Sequence, residues 1–319
     1  MKIVFFGTAD FAVESLNKLY QNGFDIAAVV TAPDKPAGRG MKIRYSPVKK
    51  FALDKGFKIL QPTNLKDENF LAELREINPE LQLVVAFRFL PEAVWKIPPK
   101  GTVNLHASLL PHYRGAAPIN WAIINGEKET GVTTFFIEKH IDTGKIIFRE
   151  KVPIEYQDTA GTLHDKLMHI GADLLVKTAQ AIETGSYEPI DQSSLLKPGE
   201  KPKQAPKLTE ENTRINWNSE AGKIYNFIRG LSPYPRAWTN LIDPKNGKRF
   251  DYTKIYFAKE ETGNHNMKPG QTLTDNKNYL KVAVKDGFIN IEEIQLPGKK
   301  RLKIKQFLNG FDAKGIYFE

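Results

Sequence analysis

Three residues could do chemistry together. Asn104 and His106 stand two apart in the apolar, β-branched run Thr-Val-Asn-Leu-His at 102–106, and Asp142 follows in His-Ile-Asp-Thr-Gly at 140–144. Period-2 geometry puts the first two side chains on one face of a strand. Polar groups set into such a run are costly unless paired, so they tend to mark a site. An amide and an imidazole can donate to an oxyanion, while a carboxylate orients the imidazole and helps to move protons. For any one of the three alone, a core histidine satisfied by an asparagine, with an aspartate starting a turn, is the simpler account. The shared face, followed by a turn through Pro111, Arg114 and Gly115, favours a site.

Other chemistries lack their parts. There are no cysteines, so neither thiolate catalysis nor a disulfide is available. No Gly-x-Ser-x-Gly elbow occurs. The six histidines (106, 112, 140, 164, 169 and 265) show no metal-binding spacing, so no metal is expected. Gly38-Arg39-Gly40 lacks the spacing of a phosphate-binding loop, and Gly7 stands without the further glycines of a dinucleotide fingerprint. Acyl-type transfer without a covalent intermediate or a metal remains.

These residues need elements to hold them. Strands are predicted over 2–7, 25–30, 57–60, 81–86, 132–137 and 145–154, and helices over 11–22, 47–55, 68–77 and 162–184. The opening alternates β, α and β, which implies a parallel α/β sheet with ligands beyond the carboxyl ends of its strands. Between them, 33–45 carries two prolines, two glycines and several basic residues without period, and reads as a long exposed loop. Residues 191–207, with three prolines and four lysines, read as a linker. Beyond it a helix over 219–229 and short strands at 255–258, 280–284, 287–292 and 302–304 suggest a small β-barrel or sandwich. The expected organisation is a catalytic domain at 1–190, a linker at 191–207 and a β-domain at 208–319.

Length agrees, since 319 residues favour two cores over one. A hydrophobic content of 41% is ordinary for a soluble chain, and the longest apolar runs are too short to span a membrane. Met1-Lys2 leads straight into Ile-Val-Phe-Phe-Gly, too short for a signal peptide, so a cytoplasmic location is expected. The net charge of +9 is uneven. From Lys207 onward there are 20 basic and 13 acidic residues, against 26 and 24 before it. A basic second part suggests a polyanionic partner, with surface solubility as the alternative.

The whole chain resembles the methionyl-tRNA formyltransferases, within the 10-formyltetrahydrofolate-dependent formyltransferase family. The resemblance lies in Phe5-Phe6-Gly7-Thr8-Ala9-Asp10-Phe11-Ala12, Pro33-Asp34-Lys35-Pro36-Ala37-Gly38-Arg39-Gly40 and Ser46-Pro47-Val48-Lys49. It continues in Asn104-Leu105-His106-Ala107-Ser108-Leu109-Leu110-Pro111, Tyr113-Arg114-Gly115-Ala116-Ala117-Pro118-Ile119 and Asp142-Thr143-Gly144. It implies a Rossmann-like domain followed by an OB-like β-barrel, with Asn104, His106 and Asp142 as the catalytic set. It further implies 10-formyltetrahydrofolate as co-substrate, bound along Phe87, Leu90, Ser108, Leu109, Leu110 and Pro111, and initiator methionyl-tRNA as partner. Lys35, Arg39, Lys42 and Arg44 in the basic loop would approach the tRNA acceptor end, Arg39 foremost between its two glycines. Lys299, Lys300 and Arg301 read either as a phosphate patch or as a solvated turn. A monomer is expected.

One departure concerns Ala86-Phe87-Arg88, where the family commonly shows Ala-Tyr-Gly. Losing that glycine removes freedom at positive φ, and Arg88 is expected to face water rather than a folate tail. Trp217, Trp238 and Tyr234 are expected in the core of the β-domain. Two alternatives stand beside the main reading. One is a formyltransferase acting on an amino sugar nucleotide or a glycinamide ribonucleotide; the other is a non-catalytic RNA-binding protein on the same scaffold.

Overall fold

The computed structural model describes residues 1–37 and 42–319. They gather into two compact units. The first comprises Met1–Gly115, Glu129–Pro153 and His164–Gln204, the second Ala116–Lys128, Ile154–Leu163 and Ala205–Glu319.

The first unit is built on a seven-stranded sheet in the order Ile146–Pro153, Glu129–Phe136, Thr102–His106, Leu81–Val85, Lys2–Gly7, Asp25–Val30, Ile59–Leu60. From Thr102–His106 to Ile59–Leu60 all neighbours are parallel, and the other two strands add antiparallel pairs. The expected parallel sheet is thus present, with an antiparallel extension at one edge. A parallel strand is covered on both faces, which is why Lys2–Gly7 reads as an apolar run with Ile3, Val4, Phe5 and Phe6 wholly buried. Gly7 is needed at its end because a Cβ there would stand 2.7 Å from the Cβ of Ala12.

Local chemistry sets the helix ends. Ser46 caps Pro47–Asp54 by accepting from Lys49 N at 3.0 Å, with proline at the first helical position. Asp67 caps Glu68–Ile77 through Phe70 N, and Asn78 closes that helix in the left-handed conformation. The predicted strand over 57–60 shrinks to Ile59–Leu60, which pairs in register with Val29 and Val30. The stretch 33–45 is less irregular than expected, since Lys35–Ala37 pairs antiparallel with Lys42–Arg44.

The second unit is an antiparallel sheet in the order Thr272–Thr274, Leu280–Val284, Gly287–Gln295, Lys248–Thr262, Ala237–Asp243, Tyr317–Phe318. Its edges meet: Phe318 N donates to Gly270 O at 2.9 Å, and Gln271 bridges Tyr317. The result is the nearly closed barrel expected of an OB-like domain. Its core holds Trp217, Ile224, Ile255, Ile291, Phe307 and Phe318. The strand Ala237–Asp243 and the helix Ile304–Gly310 were not foreseen. Asn240 and Asp243 interrupt the apolar alternation of the strand, yet both are buried.

Trp217 packs as expected, 4% exposed with its indole N–H on Thr239 Oγ1. Trp238 lies against Tyr252 with ring centroids 4.6 Å apart. Tyr234 does not pack; it is 74% exposed. It stands between Pro233 and Pro235, neither of which has a backbone N–H for a sheet ladder, so the chain joins the barrel only from Ala237.

Candidate active site

The strand Thr102–His106 carries Asn104 half-buried and His106 at 7% exposure. It pairs with Glu129–Phe136 so that Asn104 lies opposite Phe135 and His106 opposite Thr133. The turn that follows is pinned from that neighbour. Thr133 Oγ1 donates to Ser108 O at 2.6 Å and accepts from Leu110 N at 3.2 Å. Ser108 Oγ donates to His112 O, and Arg149 donates to Leu110 O. At the end of this turn Tyr113 takes a positive φ of 62°.

His106 Nε2 lies 2.8 Å from Tyr113 O. A carbonyl oxygen only accepts, so Nε2 carries the hydrogen and Nδ1 is the atom left for chemistry. Nδ1 stands 3.9 Å from Asp142 Oδ2, beyond hydrogen-bonding distance. Asp142 itself sits at φ 53° and accepts from Gly115 N at 2.9 Å. The imidazole and the carboxylate predicted from sequence are therefore brought together. The hydrogen bond that orients the ring, however, comes from the main chain and not from the aspartate. Among the described residues the Asn104 amide has no hydrogen-bond partner.

Gln192, in the segment read as a linker, is 3% exposed. It donates to Asp142 O and Gly144 O at 2.9 and 2.8 Å, and accepts from the Arg114 guanidinium at 2.7 Å. Burial lowers the Arg114 pKa below its ordinary value, and the nearby Asp142 carboxylate opposes that shift. Sequence reasoning missed Gln192 because 191–207 shows no period; its burial is a tertiary property.

Of the other singled-out residues, Ser108 and Leu110 are fully buried, Pro111 is buried and Leu109 is half-buried. Phe87 packs edge-on against Phe6 with centroids 5.6 Å apart, and Leu90 is 3% exposed. Positive φ in this turn belongs to Ala86, at 47°. Arg88 has an exposed side chain, but its guanidinium is not left to water. It donates to Pro62 O and Thr63 O, carbonyls that lie just past the end of the Ile59–Leu60 strand. Lys35 and Arg44 are exposed, Lys42 lies on the short strand Lys42–Arg44, and Arg39 falls outside the described residues. Lys299 and Lys300 are exposed, whereas Arg301 is paired with Glu293 and lies 4.2 Å over the Tyr256 ring. Among the described residues no group of three or more His, Asp or Glu is placed to hold a metal.

Comparison with known proteins shows the family to which the chain belongs. Residues 1–179 match the family model for formyl transferase, and residues 207–312 match that for the formyl transferase C-terminal domain. The chain belongs to the formyltransferase family. It is an enzyme of that family. It is 52% identical over 311 residues to a methionyl-tRNA formyltransferase of Bacteroides fragilis, covering 98% of this chain and 95% of the relative. It is 50% identical over 310 residues to a methionyl-tRNA formyltransferase of Flavobacterium johnsoniae, covering 97% and 96%. The fold of this formyltransferase also matches the N-formyltransferase of Helicobacter canadensis, solved in complex with folinic acid and dTDP-3-aminofucose. There the TM-score is 0.65 at 23% identity, covering 95% of this chain and 100% of that one.

Proposed function

We propose that this enzyme moves the formyl group of 10-formyltetrahydrofolate to the α-amine of methionine esterified to initiator tRNA. The observation that carries the reading is the identity of about half of all residues to methionyl-tRNA formyltransferases along 98% of the chain, the basic second part included.

The neutral amine attacks the formyl carbon, giving a tetrahedral intermediate with a negative oxygen. The Asn104 amide, without a partner among the described residues, is available as a donor to that oxygen, and His106 lies two residues along the same strand face. The amine gains a positive charge as the carbon–nitrogen bond forms, and Asp142 beside His106 Nδ1 is the acceptor for its proton. The bond from the formyl carbon to N10 of the folate then breaks, N10 takes up a proton, and tetrahydrofolate leaves. With Nδ1 and Oδ2 3.9 Å apart, the proton passes through the substrate amine or a water rather than directly between the two side chains.

Folate would lie along Phe87, Leu90 and 108–111, a turn whose Ser108 and Leu110 are fully buried and held by Thr133 and Arg149. The exposed Lys35 and Arg44, with Arg39 and Lys42, would meet the acceptor end of the tRNA. Lys299, Lys300 and Arg301 would contact phosphates, Arg301 only after giving up Glu293. The domain plan of 1–190, 191–207 and 208–319 belongs to this reading, as do action as a monomer and a cytoplasmic location.

The test offers 10-formyltetrahydrofolate to the enzyme with methionyl initiator tRNA or with a dTDP-amino sugar. Formylation of the tRNA alone supports the reading, and formylation of the sugar alone overturns it.

A further inference from the structure

We infer that Gln192 is a positioning residue for formyl transfer: its buried amide clasps the Asp142 turn to Arg114 and so sets the Asp142 carboxylate against His106. The kinetic part of this inference rests on the proposed formyl-transfer reading.

Every hydrogen-bonding site on the Gln192 side chain is used. Its oxygen accepts from Arg114 Nε at 3.1 Å and Nη2 at 2.7 Å. Its nitrogen donates to Asp142 O at 2.9 Å and Gly144 O at 2.8 Å. A primary amide offers two acceptor and two donor positions, so the set is complete. The chemistry also fixes which end is which, because a guanidinium can only donate and a carbonyl can only accept. The residue is 3% exposed, which makes each of these bonds costly to lose.

All four bonds go to two segments. One ends in Gly115, whose N–H holds Asp142 Oδ2 at 2.9 Å; the other is the turn that presents Asp142. That turn needs holding. Asp142 has a positive φ of 53°, in the left-handed region that aspartate enters more readily than most L-residues but still at a cost. Gly144 is packed so closely that a Cβ would stand 1.8 Å from Phe136 O. A strained turn with a single charged side chain, tied at two carbonyls by one buried amide, is a device for placing that charge. Gln192 touches neither His106 nor any reacting atom, so it acts through Asp142 alone.

The test compares Gln192→Met, which removes both halves of the clasp at similar length, with Gln192→Glu. The glutamate keeps an acceptor for Arg114 but sets an oxygen against the two carbonyls. The first readout is amide hydrogen exchange at Gly115 in the full chain without substrate, with the buried Phe5 amide as a reference for the fold. The second is kcat against KM for methionyl-tRNA. In both variants Gly115 should exchange about tenfold faster or more while Phe5 is unchanged. The kcat should fall about tenfold or more while KM stays within about twofold, as expected when a catalytic group is misplaced by a fraction of an ångström. Where Gln192→Met lowers the folded fraction, Gln192→Glu carries the test. Unchanged exchange at Gly115, or equal acceleration at Gly115 and Phe5, overturns the inference. Absence of transfer by the unmodified chain overturns the formyl-transfer reading instead, and the exchange data still decide the clasp.

Discussion

His106 gives its Nε2 hydrogen to the carbonyl oxygen of Tyr113, 2.8 Å away and seven residues on in the same turn. The ring is therefore aimed by the backbone, and Asp142 is free to serve as a charge and a proton acceptor. This separation of labour predicts which substitutions spare the architecture.

Asp142→Asn keeps an oxygen to accept from Gly115 N but loses the charge. The kcat should fall by about 10²–10⁴-fold while the thermal midpoint and tRNA affinity stay close to those of the parent. Steady-state kinetics beside thermal unfolding check this; wild-type turnover in the variant would remove Asp142 from the mechanism.

Asn104→Ala removes an amide that nothing else among the described residues engages. The expected loss is about 10²–10³-fold in kcat, with KM for either substrate little changed. A loss confined to KM would assign Asn104 to substrate binding instead.

For the β-domain, changing Lys299 and Lys300 together to Ala should weaken tRNA binding and lower the slope of log K against log salt by about two. Filter binding across a salt series reads both numbers. Arg301→Ala should weaken binding less, since that guanidinium is already committed to Glu293.

How much of this could be read from the chain depends on the range of the interaction. The helix Glu68–Ile77 is announced by the Asp67 cap and its own periodicity, and the buried strand Lys2–Gly7 by an unbroken apolar run. Asn104 and His106 were legible because two polar residues on one face of an apolar strand are costly without a use. Gln192 was not, because its four bonds reach residues far away in sequence, and no local pattern encodes them. Tyr234 misled for the opposite reason: an aromatic suggests a core, but the prolines on either side keep it off the sheet.

Acid should loosen the contacts of Asp34, just before the Lys35–Ala37 strand. The Asp34 carboxyl is held below its ordinary pKa first by the hydrogen bond from Lys49, then by that from Gln61. A depressed folded-state pKa means that the contribution to stability is complete above the unfolded value and is lost as the pH falls through the folded one. Carboxyl-detected NMR should show Asp34 titrating below an ordinary aspartate, and Lys49→Met should return it upward. An unshifted Asp34 in the parent would contradict the contact.

Barrel closure makes a stability prediction. Gly270 has φ 89°, and a Cβ there would stand 2.2 Å from Phe318 O, the strand that seals the barrel edge. Gly270→Ala should cost about 1–3 kcal/mol, read as a lower midpoint in denaturant with activity per folded molecule retained. An unchanged midpoint would mean that the seam is open in solution.

The most direct measurement is formyl transfer from 10-formyltetrahydrofolate to initiator and elongator methionyl-tRNA, followed in parallel with the unmodified enzyme. The account predicts rapid formation of formylmethionyl-tRNA from the initiator and little from the elongator. No transfer to either tRNA, with folate bound, would contradict it.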